Sequence, residues 1–297
     1  MKTKSRIYEK GCVITEADNA ACTLRLRLPA GVLSPKQLAA LNSITEQYHI
    51  EHLHLTTRQT IEIPHIQAPL LPEIADKLED LGCSAGAERN EIVNVTACPG
   101  NDRCKFSNID SLALAAEIDR RYFGREMPGK VRIAISACPN SCVSETLNEI
   151  GITGLRTPDR NEGYCTGCGT CVQYCREEAL CVKEGRVVMD ESRCLSCGTC
   201  VRSCVYGILG SYPTAYRITL GGRRGRHPKV GQHLITVSSE EAALAVVDAV
   251  IDWIYRYAAF TRPVVEQIGK ELELPLLKKK LLETVPADDI AAIGSIL

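Results

Sequence analysis

Apolar and polar residues alternate from Cys22 through Leu28, with Cys22, Leu24, Leu26 and Leu28 separated by Thr23, Arg25 and Arg27. A period of two predicts a half-buried strand. From Ser34 to about Tyr48 the pattern predicts a helix, opened by Ser34-Pro35, residues suited to a helix start. Two short strands are predicted around His52–Thr56 and Thr60–Pro64, then a helix over Leu71–Leu81. Strand, helix, strand, strand, helix is the order of a small α+β layer. Farther along, the same reading predicts a helix over Asp110–Tyr122, a strand over Val131–Ser136 and a strand over Tyr216–Leu220. A basic Gly-rich loop, a helix over Ser239–Tyr257 and a helical tail complete the chain.

Between these elements, from Tyr164 to about Ile208, lies a direct repeat. Cys165-Thr166-Gly167-Cys168-Gly169-Thr170-Cys171 returns as Cys194-Leu195-Ser196-Cys197-Gly198-Thr199-Cys200. The offset is too short for a stacked solenoid, so the segment is a duplicated module. With Cys175 and Cys204 each copy has C-x2-C-x2-C-x3-C spacing, the ferredoxin pattern for 4Fe-4S clusters. Three cysteines wrap one cluster and the fourth crosses to the other. This assigns Cys165, Cys168, Cys171 and Cys204 to one cluster and Cys194, Cys197, Cys200 and Cys175 to the second. Paired zinc sites are the competing reading, but structural zinc uses separated cysteine or histidine pairs rather than a triplet used twice. Arg176 and Val205 follow the fourth cysteines where the usual run has proline. Cys12, Cys22, Cys83 and Cys181 receive no role.

A second constellation consists of Cys98-Pro99-Gly100-Asn101-Asp102-Arg103-Cys104 and Cys138-Pro139-Asn140-Ser141-Cys142. Four thiolates from two loops can enclose one further cubane. With these motifs the chain resembles the nitrite/sulfite reductase family, and within it siroheme-bearing subunits with a ferredoxin insertion and a later Gly-Gly-Arg loop, here Gly221-Gly222-Arg223. His54-Leu55-Thr56-Thr57-Arg58-Gln59-Thr60 resembles the family's siroheme-binding strand, and Arg89-Asn90 and Pro128-Gly129-Lys130-Val131-Arg132 its basic active-site motifs. The resemblance implies an α+β siroheme/4Fe-4S sulfite reductase core with an inserted two-cluster ferredoxin domain. It implies that Cys142 bridges its cluster to the siroheme iron, with Thr57, Arg58, Gln59, Asn140, Gly222 and Arg223 on the cofactor. It makes Arg58, Arg89, Lys130 and Arg132 the catalytic cations. The expected cofactors are siroheme and three 4Fe-4S clusters. The expected division is 1–82, 83–158 with 209–297, and 159–208 for the insertion.

Siroheme carries many carboxylates and sulfite is an anion, so a site for both needs fixed cations. Arginine matches carboxylates with its planar fork, and a buried lysine can deliver protons because burial depresses its pKa. Any one basic residue alone is more often a solvated surface charge, and the same caution holds for Arg223, Arg224, Arg226 and Lys229. His52, His54 and His65 are assigned packing or surface roles. The formal charge of −1 over 297 residues argues against a nucleic-acid partner. Of the sixteen cysteines, the clustered ones are metal ligands rather than disulfides if the chain is cytoplasmic. That compartment is expected, because Met1–Arg6 leads into no apolar leader and no run is long enough to span a membrane. No G-x-G-x-x-G fingerprint is present, so separate donor subunits, a flavoprotein and an iron-sulfur protein, are expected to supply electrons. A two-fold homodimer is a further expectation. Six-electron reduction of sulfite is the leading activity. Spacing alone does not separate it from nitrite reduction to ammonium, and a non-catalytic electron carrier is the rival of another class.

Overall fold

The computed structural model describes residues 11–17, 21–160, 165–260 and 262–297; Met1–Arg6 and Tyr164, the expected start of the repeat segment, lie outside them. The first layer is an antiparallel sheet of β1 (Val13–Thr15), β2 (Ala21–Arg25), β3 (His54–Leu55) and β4 (Ile61–Gln67), in the order β1-β2-β4-β3. Helices α1 (Pro35–Gln47) and α2 (Leu71–Asp80) pack on it through Leu41, Ile44, Leu71, Ile74 and Leu78. A capping box starts α1: Gln37 N donates to Ser34 Oγ (3.2 Å) and Ser34 N to Gln37 Oε1 (2.9 Å), together worth about 1 kcal/mol. Strand β2 ends at Arg25 rather than at the expected Leu28. The alternation continues, but Arg27 N now donates to Ser84 O and Leu28 N to Asn94 Oδ1, so the partner changes from the sheet to the segment entering the second layer.

That layer begins with β5 (Thr96–Ala97), α3 (Ser111–Tyr122), β6 (Ile133–Ser136) and β7 (Ile150–Leu155), the three strands being parallel. Strand β7 is not among the expected elements because Gly151 and Gly154 weaken its pattern. Both glycines answer to packing: a Cβ on Gly154 would lie 2.6 Å from Ala137 O, and one on Gly151 2.6 Å from Glu145 O. Glycine in a strand marks such close backbone approach.

The chain next forms β8 (Pro158–Arg160), α4 (Thr170–Gln173), the hairpin β9 (Leu180–Lys183) and β10 (Arg186–Met189), α5 (Thr199–Ser203) and β11 (Leu209–Ser211). Strands β8 and β11 pair antiparallel, so the excursion leaves and returns at one neck. Its buried core is Cys171, Leu180, Cys200 and Leu209. So small a core calls for staples such as bound metal.

The returning chain adds β12 (Ala215–Leu220), β13 (Gln232–Val237), α6 (Glu240–Tyr257), α7 (Val264–Gln267), α8 (Leu274–Thr284) and β14 (Ile290–Ile293). They complete a six-stranded sheet, β14-β13-β12-β7-β6-β5. The expected helical tail therefore ends as an edge strand, Ile293 pairing with Ile235; a short apolar run fits either state by pattern alone. Helix α6 covers the sheet with Val246, Val250, Trp253 and Ile254, side chains each worth about 1.5–3 kcal/mol on burial. Further side-chain contacts lock the layers together. Arg27 Nε donates to Asp119 Oδ2 (2.8 Å) with its guanidinium 4.3 Å from the Phe123 ring. The Gln59 amide bonds both backbone groups of Ala97, at 2.8 and 2.9 Å. No helix among the described residues is long and apolar enough to cross a membrane.

Candidate functional site

Strands β5 and β6 run parallel with Ala97 opposite Ile135, so Cys98 and Cys138 emerge side by side from their C-terminal ends. Open sheets build their sites at that edge. Ala137 N donates to Cys98 Sγ at 3.1 Å, and Cys138 interacts electrostatically with Cys98, Cys104 and Cys142. Burial raises the Cys138 thiol above its ordinary value. Cys98 and Cys138 are buried, Cys104 half-buried and Cys142 exposed. The loop carrying Cys142 is set by Glu145. This carboxylate, 1% exposed, accepts from Ser136 Oγ (2.5 Å), Ser141 Oγ (2.6 Å) and Thr153 Oγ1 (2.8 Å).

In the excursion the cysteines fall into two crossed groups. Cys171 interacts with Cys204, Cys165 and Cys168. Burial, then Cys197, Cys194 and Cys175, push the Cys200 thiol up to about 12. Cys175, Cys194, Cys197 and Cys200 line one cavity of about 450 Å³ together with Phe106 and Asn140. Backbone amides point at the sulfurs: Gly167 N to Cys165 and Ser196 N to Cys194, both 3.4 Å, repeated by Ala179 N to Cys175 at 3.4 Å and Leu209 N to Cys204 at 3.5 Å. Such donors stabilise thiolates and tune cluster potentials. Among the described residues no three His, Cys, Asp or Glu side chains converge on a point for a single metal ion. Cysteines arranged in fours, aimed at by amides and set around a cage, fit a cubane better than one ion.

A polar cleft of about 240 Å³ lies between the layers, lined by Thr57, Arg58, Thr96, Arg132, Asn148 and Arg224. Arg132 Nη1 donates to Glu149 Oε1 (2.7 Å), and burial raises the Glu149 carboxyl despite that partner. Lys130 Nζ donates to Glu88 Oε1 (2.5 Å). Glu88 is shared with Arg25 and lies 4.0 Å from Arg58 Nε, so it does not neutralise the lysine alone. Burial, then Arg58, Arg132 and Arg25, bring Lys130 down to about 8, and burial, then Arg132 and Arg25, bring Arg58 to about 10. Thr96 Oγ1 faces no partner although buried. Arg25, Arg58, Lys130, Arg132 and Arg224 thus confront Glu62, Glu88 and Glu149, and the cleft fits an anionic guest.

Of the expected site residues, Arg58, Lys130, Arg132 and Thr57 meet here. Arg89 does not: it is exposed, its stem packed on Gly11. Arg25 takes the place beside Glu88, held by Glu62 through Nε at 3.0 Å, and only the fold identifies it. Arg224, not Arg223, reaches the cleft, and its Nη2 donates to Val143 O (2.5 Å) next to Cys142. Arg223 is tied to Glu266 (2.5 Å) and to His227 O (2.8 Å). Gly222 sits where a Cβ would meet Thr146 O at 2.2 Å. Gln59 spends its amide on Ala97, and Asn140 faces the cavity of the excursion rather than the cleft. His54 bonds Glu62 and His65 bonds Glu16, both at 2.8 Å.

Comparison with known proteins supplies the family. Residues 14–81 match the nitrite/sulfite reductase ferredoxin-like half domain and residues 88–270 the nitrite and sulphite reductase 4Fe-4S domain. One subunit of the anaerobic sulfite reductase of Salmonella typhimurium is 30% identical over 75% of this chain and 72% of its own. The coenzyme F420-dependent sulfite reductase of Methanocaldococcus jannaschii is 31% identical over 77% of this chain, which spans only 37% of that longer protein. The crystal structure of dissimilatory sulfite reductase I superposes with a TM-score of 0.72 at 16% identity, covering 92% of this chain and 71% of that one, a likeness of fold. The chain belongs to the nitrite and sulfite reductase family, oxidoreductases with siroheme and iron-sulfur cofactors.

Proposed function

We propose that the chain reduces sulfite to sulfide, six electrons and six protons entering and three waters leaving, with electrons supplied through the excursion by separate donor subunits. The observation that carries this reading is the cation-rich cleft whose Arg224 is anchored one residue from Cys142. When bound, siroheme supplies the iron that takes the sulfur, and the 4Fe-4S clusters supply electrons singly. Cys98, Cys104, Cys138 and Cys142 would hold the core cluster, with Cys142 shared by the siroheme iron. The two crossed groups would hold two more, making 159–208 an inserted two-cluster ferredoxin domain. Arg58, Arg132 and Arg224 hold carboxylate and oxyanion oxygens by paired N–H donors. Lys130 holds a proton at Nζ and, with a pKa of about 8, releases it near neutral pH. Glu88, hydrogen-bonded to Nζ, keeps that ammonium aimed.

The test is reconstituted protein, assayed for siroheme absorption and for oxidation of a reduced dye by sulfite or nitrite. Higher kcat/KM for sulfite is expected. Preference for nitrite would overturn the substrate, and failure to take up siroheme would overturn the enzyme reading in favour of an electron carrier.

A further inference from the structure

The excursion meets the core along a narrow seam. Arg156 N donates to Ser196 O at 2.7 Å, and Thr157 Oγ1 lies 3.0 Å from Ser196 Oγ. Arg156 packs its stem against Gly198 of the excursion, and a second arginine crosses the seam with hydrogen bonds on both sides. Arg202, half-buried on α5, donates from Nη1 to Cys197 O (3.0 Å), and from Nη2 to Phe106 O (2.8 Å), Ser107 O (3.0 Å) and Asn108 Oδ1 (2.5 Å). Cys197 belongs to one group of the excursion; residues 106–108 follow closely on Cys104 of the core group. Among the described residues no carboxylate forms an ion pair with this guanidinium, whereas Arg156, and then Cys197, Cys138 and Cys104, lie within electrostatic reach of it. The other group faces outward. Its Cys168 is exposed, and Val205 and Tyr206, next after Cys204, are 77% and 59% exposed.

We propose that Arg202 is the positioning residue of this seam, making the Cys175, Cys194, Cys197 and Cys200 site the inner one of the excursion and the Cys165, Cys168, Cys171 and Cys204 site the outer one. The inference rests on the cluster assignments proposed above. Its physical basis is the planar fork of arginine, which satisfies several carbonyl-type acceptors at fixed angles where a lysine would act as a point charge. One side chain thereby ties the backbone of an inner ligand to the loop of a core ligand and fixes their separation. Its charge, not offset by a carboxylate, also favours the reduced, more negative state of whatever cluster lies beside it.

The experiment uses the full chain loaded with iron, sulfide and siroheme, as wild type, Arg202→Met and Arg202→Lys, with Cys168→Ser to mark which signal belongs to the outer site. Cluster potentials are read by titration and inter-cluster distance by the magnetic broadening of the reduced EPR spectra. In Arg202→Met the signal that persists in Cys168→Ser should shift to lower potential and lose broadening against the core cluster, while the outer signal keeps its potential. Arg202→Lys should hold the potential and lose broadening, which carries the test if the methionine variant fails to load. Unchanged broadening and potentials in a fully loaded variant would overturn the proposal, as would a shift confined to the outer signal. Wild-type protein that binds fewer than three clusters would instead overturn the cluster assignments themselves.

Discussion

Lys130 is a cation among cations, drawn from the usual 10.5 to about 8 by burial and by Arg58. Turnover that needs its proton should therefore fall as pH rises through about 8. Lys130→Met should flatten that limb and cost on the order of 2–4 kcal/mol of transition-state stabilisation, with cluster content unchanged; an unaltered pH–rate profile would remove Lys130 from catalysis. The same depressed pKa acts on stability in the opposite direction. From about pH 8 up toward 10.5 the unfolded chain binds more protons than the folded one, so this group adds stability as pH rises, and denaturant melts of Lys130→Met should lack the increment. At Cys142 a serine should disturb siroheme and its neighbouring cluster together and spare the other two clusters; normal magnetic coupling in Cys142→Ser would refute the bridge. The cysteine motifs were legible in the sequence because x2, x3 and x5 gaps are local properties of one loop. The cleft was legible only in part. Arg25, Glu88, Glu149 and Arg224 come to Arg58 and Lys130 from separate elements, and no spacing encodes that meeting.

At the level of elements, long amphipathic runs with caps were readable. Helices α1, α3 and α6 start after Ser34, Asp110 and Ser239, each accepting from a backbone amide of its own first turn. Strands β7 and β14 were not, since glycine in the first and brevity in the second hid the period of two. Strand β7 also shows why its glycines matter to the site. Gly154→Ala would push a Cβ to 2.6 Å from Ala137 O and 2.7 Å from Ile109 Cγ1, next to Cys138. Overpacking of this kind costs about 1–3 kcal/mol. A lower urea midpoint is expected, with loss of the core cluster ahead of the other two. A midpoint equal to wild type would show that the strand can move aside.

Over the whole molecule, two cores of ordinary size flank an excursion with almost none of its own. That contrast sets the excursion apart, and on the proposed reading its stability and its purpose both come from what its cysteines bind. Cys168→Ser separates an electron path from a scaffold most directly, because Cys168 is exposed on the outer group and far in sequence from Lys130, Arg132 and Cys142. The measurement is sulfite turnover of this variant with a protein donor and with a small reduced dye, at matched siroheme and core-cluster content. An electron path through the insertion predicts a loss with the protein donor and near wild-type turnover with the dye. Equal loss with both donors would contradict it, and would make the inserted segment a support for the shape of the cleft.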